Sequence, residues 1–245
     1  MDHDDFRGGL YSLSHGVGRD ETFLLFGCVH SGVPIVDAAE RAHELLGRLR
    51  RAIPDPKPAL DYTSAYELLV ATVLAAQCTD QRVNQVTPEF FRRWPDPKAL
   101  STASVPEVET VVHSTGFFRQ KAKNLVAAAK LVTERHGGVI PDSMETLTAL
   151  PGVARKTANI VLSNALGKNE GIAVDTHVRR LSFRLGLTTS DVPTVIERDL
   201  MPLFPRQAWG EINHLLVLHG RQTCAARKPR CKDCVLDDIC PKMGV

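Results

Sequence analysis

Four cysteines crowd the C-terminal stretch of the 245-residue chain: Cys224, Cys231, Cys234 and Cys240, spaced C-x6-C-x2-C-x5-C. Thiolates are soft metal ligands, and a cysteine cluster in a cytosolic chain points to metal before it points to disulfides. The spacing leaves both a structural Zn²⁺ and a [4Fe–4S] cluster open. The first interval carries Arg227, Lys228 and Arg230, so closing a metal loop would project a basic finger. From Arg221 to Lys232 there are five basic residues and no acidic one, a patch able to hold phosphates. The isolated Cys28 and Cys78 read as plain thiols.

A second chemistry-bearing stretch is Leu150-Pro151-Gly152-Val153-Ala154-Arg155-Lys156-Thr157-Ala158. Pro and Gly break one helix, and Ala154 to Leu166 starts another with Ala158, Val161, Leu162 and Ala165 on its buried side. A tight turn feeding a helix N-terminus leaves backbone N–H groups free, and such donors hold phosphate without reading bases. Gly152, Val153 and Ala154 are therefore candidate DNA contacts, and Lys156 points away from the apolar stripe toward whatever the hairpin holds. The third stretch is Val174-Asp175-Thr176-His177-Val178-Arg179-Arg180. Asp175 alone would be an N-cap. A lysine and a carboxylate together are what an amine-driven lyase requires. The attacking amine must be neutral, a state that an ordinary lysine reaches in only about one molecule in a few thousand at pH 7. Partial burial and the positive end of a helix both favour that form, and the carboxylate can take the proton.

The elements that must position these groups read as all-α. Ser64 with Glu67 forms a capping box before Leu68, Leu69, Thr72, Val73 and Ala76; Ser104 with Glu107 repeats it, and Asp142 with Glu145 makes a similar start. A basic amphipathic helix is expected over 38–52, followed by a stiff linker at Pro54, Pro56 and Pro58. Gly116, Gly137, Gly138, Gly152 and Gly186 fall between helices. The one extended stretch is Ile172–Val174. Residues before about 36 show no sustained period and read as a loosely ordered extension. A 43% hydrophobic and 24% charged composition suits a globular chain, and a net charge of +2 is too weak by itself to name a nucleic-acid partner. No apolar run approaches the roughly 18–20 residues that cross a bilayer, and the best candidate, Phe23–Val29, is far too short. The protein reads as cytosolic and as a monomer.

Taken together, Leu150–Ala158, Val174–His177, Leu218-His219-Gly220-Arg221, Ala75-Ala76-Gln77-Cys78-Thr79-Asp80 and the cysteine spacing resemble the endonuclease III family of helix-hairpin-helix DNA glycosylases. The resemblance runs from about Asp61 to Pro241. It implies a two-lobed fold: a six-helix lobe at about 58–168 holding the hairpin (about 143–167), and a second lobe combining about 36–57 with 169–245. It implies a [4Fe–4S] cluster on the four cysteines, Lys156 as Schiff-base nucleophile, Asp175 as catalytic aspartate, and damaged double-stranded DNA in the cleft, with His177 beside it. Gln77 and Phe117 match the two positions that fill the gap left by a flipped nucleotide. Phe117 departs from the smaller aliphatic residue common there, and Ala154 stands where the hairpin usually has glycine. If that site needed a positive φ, alanine would cost roughly 1 kcal/mol.

The function so implied is a bifunctional glycosylase and abasic-site lyase of base excision repair, removing oxidised pyrimidines and cleaving 3′ to the abasic site by β-elimination. An adenine-mismatch glycosylase shares the hairpin and cluster but generally lacks the lysine. A monofunctional mismatch or photodimer glycosylase, or a DNA-binding module with a structural metal, would not need the pairing of Lys156 with Asp175.

Overall fold

A computed structural model describes residues 37–245; the expectations for the extension, for Phe23–Val29 and for Cys28 lie outside the described residues. Those residues form α-helices and short 3-10 turns, with no strand. In chain order the helices are α1 (Ala38–Ala52), α2 (Ala65–Leu74), α3 (Asp80–Arg93), α4 (Pro97–Ser101), α5 (Val105–Val112), α6 (Phe118–His136), α7 (Met144–Thr148), α8 (Arg155–Ala165), α9 (Thr176–Arg184), α10 (Pro193–Leu200) and α11 (Trp209–Gln222). Where the resemblance implies six helices, residues 58–168 hold seven α-helices, two of them only five residues long.

Local chemistry explains where these helices begin. Ser104 accepts from the Glu107 amide while the Glu107 carboxylate accepts from the Ser104 amide, a complete capping box. Ser64 caps α2 in the same way, but Glu67 reaches past it to the Thr63 amide at 2.6 Å. The start expected at Asp142 moves one residue on. Ser143 caps α7, and Asp142 pairs with Lys168 instead. Ala42, Leu45, Leu46 and Leu49 share one face of α1, and all four are buried, as helical periodicity requires.

Two hydrophobic cores result. One is continuous in sequence, running from Tyr66 to Leu162 and drawing on α2 to α8. Every residue of α2 from Leu68 to Leu74 is buried, so this helix is wrapped by its neighbours rather than amphipathic. The other core joins Leu45 and Leu49 of α1 to Val178 and Leu181 of α9, Ile196 and Leu200 of α10, Ile212 and Leu216 of α11, and Leu236 and Ile239 of the tail. The chain thus enters the second core, leaves to build the first, and returns. Its return passes through Ile172–Val174, which is extended, buried and unpaired with any strand of the described residues.

Candidate active site and DNA interface

The hairpin between α7 and α8 needs its glycine twice over. Gly152 has φ +79°, and a Cβ there would sit 2.8 Å from Asn124 Nδ2. Ala154 is ordinary extended backbone at φ −88°, so the strain expected of alanine at this position is absent. It caps α8 without a side-chain bond, which leaves the first-turn amides of α8 open to an incoming anion. Val153 has its side chain buried in the first core, and its amide donates to the Leu150 carbonyl at 3.1 Å, which braces the turn. Lys156 occupies the first turn of α8 and is exposed. The partial burial expected of it is not supplied by the protein alone.

Asp175 is held by the returning chain. Asn213 on α11 donates to the Ala173 carbonyl at 2.7 Å, fixing the approach to α9. Asp175 then caps α9, with Oδ1 accepting from the His177 and Val178 amides at 2.8 Å each. Both bonds fall on one oxygen, so Oδ2 is unengaged by the described residues. Lys156 and Asp175 line one cleft of about 720 Å³, together with Gly152, Ala154, His177, His214 and Arg221. Its walls come from both cores. His177 Nδ1 lies 3.1 Å from Arg180 Nη2; since a guanidinium only donates, Nδ1 accepts and the ring proton sits on Nε2. Burial holds this imidazole below its usual range against the pull of Asp175, and Arg180, Arg221 and Lys156 add to the effect of burial.

Several residues that the sequence did not single out fix this geometry. Glu197 of α10 is buried and accepts from Arg155 Nε at 2.6 Å and from Asn159 Nδ2 at 2.8 Å. It anchors the residue beside Lys156 to the other core. A Cβ on Gly171 would lie 1.9 Å from Glu197 Oε1, so only glycine leaves room for the carboxylate. His214 of α11 donates to Asn164 Oδ1 on α8 across 2.7 Å. Arg221 and Asp80 pair at 2.8 Å at the cleft edge. The signal for His214 and Asn213 was present, as two adjacent polar residues in an apolar helical run. For Glu197 there was none, because a glutamate in a charged amphipathic helix looks like surface.

Gln77 and Phe117 do not line the cleft. They stand on two separate turns, both exposed, Phe117 by 66%, and both left-handed at φ 54° and 47°. Non-glycine residues in this region cost of order 1–2 kcal/mol each, and such conformations cluster where a side chain must be presented. The basic finger is also outside the cleft. Arg227 and Lys228 are exposed, whereas Arg230 donates to the Gln222 carbonyl within its own loop.

The four C-terminal cysteines are free thiols lining one cavity with Leu181, Leu185, Leu236 and His219. Among the described residues no ready-made cluster of three or more metal ligands is present. The donor set nevertheless suits a thiolate-bound group. Arg184 Nη1 donates to Cys224 Sγ at 3.3 Å, the Leu236 amide to Cys234 Sγ at 3.4 Å, and His219 Nε2 lies 3.4 Å from Cys234 Sγ. N–H donors aimed at sulfur stabilise bound thiolates.

Residues 70–206 match the family model described as HhH-GPD superfamily base excision DNA repair protein. Endonuclease III of Synechocystis sp. is 52% identical over 202 residues, covering 82% of this chain and 92% of that protein. Endonuclease III of Escherichia coli strain K12 is 39% identical over 197 residues, covering 80% and 93%. The chain belongs to the endonuclease III family. Among solved structures, a trapped endonuclease III–DNA covalent intermediate in an estranged-adenine complex superposes with a TM-score of 0.79 at 35% identity, over 84% of this chain and 97% of that one. A thermostable thymine-DNA glycosylase at 22% identity and TM-score 0.73 shares the fold. Membership of this family suggests an iron–sulfur cluster. No helix of the described residues is long and apolar enough to cross a membrane.

Proposed function

We propose that this chain removes oxidised pyrimidines from duplex DNA and then nicks the abasic strand, with Lys156 as nucleophile and Asp175 as its acid–base partner. The observation that carries the reading is the single cleft that both side chains line, walled by the hairpin before α8 and the capped start of α9. Lys156 Nζ attacks C1′ of an extruded nucleotide as the bond from C1′ to the base breaks, and the base leaves with its electron pair. Asp175 takes a proton from the amine and steadies positive charge on the sugar. Its two amide bonds fix the carboxylate in place before the reaction begins. The C1′–O4′ bond then opens, O4′ taking the proton that Asp175 holds, to leave an imine joining Nζ to C1′; this imine loses a proton from C2′ and the 3′ phosphate departs.

Gly152, Ala154 and the first-turn amides of α8 hold the strand by its phosphates, with His177, Arg227, Lys228 and Arg230 as further DNA contacts. Gln77 and Phe117 fill the gap in the duplex, the ring stacking on the orphaned base. Cys224, Cys231, Cys234 and Cys240 are the residues that would hold a [4Fe–4S] cluster. Its chemistry, when bound, is iron–thiolate ligation that closes the loop carrying Arg227 and Lys228. The chromosome is the substrate, which puts the working protein at the nucleoid.

Borohydride trapping on abasic-site duplex tests the assignment, since reduction of the imine leaves a stable protein–DNA adduct. Lys156→Ala should give none; full trapping by that variant would remove Lys156 from the role. Asp175→Asn keeps an N-cap side chain, so DNA binding should persist while turnover slows by roughly 10²–10⁴-fold.

A further inference from the structure

Lys121 carries no part of the chemistry above, yet it is buried to 5% exposure on α6. A lysine ammonium is strongly hydrated and rarely leaves water without strong partners. Here Nζ donates to the Leu74 carbonyl at 2.8 Å and to the Thr115 carbonyl at 2.7 Å. These two carbonyls lie 41 residues apart in sequence. One ends α2 three residues before Gln77, and the other ends the short turn two residues before Phe117. The Lys121 amide also donates to the Phe117 carbonyl at 3.1 Å. One residue therefore grips the Phe117 turn at two points and ties it to the Gln77 turn. Either protonation state of the amine has the two hydrogens these bonds need.

The turns themselves call for such a tie. Both present their side chain from a left-handed, strained residue, Phe117 begins α6 without a side-chain cap, and a side chain 66% exposed gains little from packing. Strained loop conformations persist only where surrounding contacts over-determine them. Thr115 is 1% exposed and Leu74 fully buried, so the tie is anchored in the first core. Burial pushes the amine below the ordinary lysine range, with the nearby Cys78 thiol working the other way.

We propose that Lys121 is a positioning residue for duplex opening, setting the separation of the Gln77 and Phe117 turns so that both side chains enter the helix together. This rests on the reading of Gln77 and Phe117 as the gap-filling pair. The test uses the full cluster-loaded chain and a duplex with 2-aminopurine opposite an abasic site, alongside the same abasic strand unpaired. A single strand needs no opening. Lys121→Met keeps the stem and removes the donors. It should slow borohydride trapping on the duplex by about tenfold or more, a coupling of the size contacting residues show, and abolish the 2-aminopurine fluorescence rise. Trapping on the single strand should stay within about twofold of wild type, the scatter of independent sites. Lys121→Arg, which keeps donors at similar reach, should restore most of the duplex rate.

A double-mutant cycle excludes a merely structural role. If Lys121 acts through the two turns, Lys121→Met adds no further loss to the Gln77→Ala/Phe117→Ala variant. Equal losses on both substrates, or multiplicative losses in the triple variant, overturn the proposal. Should Lys121→Met fail to fold, Lys121→Gln is read by the same duplex-to-single-strand ratio. If Gln77→Ala/Phe117→Ala retains the fluorescence rise, the gap-filling reading fails and the proposal with it. If that variant loses the rise while Lys121→Met keeps it, only the role of Lys121 is refuted.

Discussion

His214 shows how a single buried group couples this site to acidity. Desolvation pushes its imidazole down to about 4, partly opposed by Asp175. The unfolded chain binds a proton near pH 6.5 and the folded one resists it, so this contribution to stability is complete above that pH. It is lost as pH falls toward 4. Across the window the loss is about 3 kcal/mol at 1.36 kcal/mol per unit. His214→Gln can still donate to Asn164 and does not titrate, so its stability should fall less steeply between pH 6.5 and 4. The quantity to measure is the difference between the two denaturant-midpoint profiles. Parallel profiles would mean that His214 is not buried neutral in solution.

The hairpin is where one atom decides the shape of an element. Gly152→Ala would force a left-handed alanine and drive its Cβ against Asn124, costing roughly 2–3 kcal/mol in total. Urea unfolding should register that loss, and DNA affinity should drop with it, because the α8 amides move. Wild-type affinity in the destabilised variant would show that the hairpin does not hold the strand. This loop also marks what a sequence yields and what it withholds. Periodicity, caps and Pro-Gly breaks made α1 and α8 readable nearly to the residue and marked the start of α5, and Lys156 and Asp175 were legible as a pair of types that chemistry needs together. The direction of the Val153 amide was not, since turn geometry depends on which carbonyl closes it. Glu197 and Lys121 were also hidden. Their partners are backbone or side chains that only tertiary packing brings near, and in sequence each is one more charge on a helix.

At the scale of the whole molecule, a net charge of +2 hides a local asymmetry that should govern DNA affinity. Every phosphate that the protein no longer neutralises takes about 0.9 off the slope of log K against log salt. Removing Arg227 and Lys228 together should therefore lower the slope by roughly 1–2 for damaged and undamaged duplex alike. Arg230→Ala should lower it less, because part of that guanidinium is already committed to Gln222. An unchanged slope in the double variant would take the finger off the DNA.

The second core, which takes its first helix from α1 and the remainder from residues beyond Gly171, also sets an order of events during synthesis. A ribosome releases α1 long before its partners exist, while the residues of the first core emerge in one uninterrupted stretch and can pack as they appear. Throughout that interval Leu45, Leu46 and Leu49 lack the partners that bury them in the finished fold. The half of the cleft that carries Asp175 is consequently the last part of the newborn protein to become native.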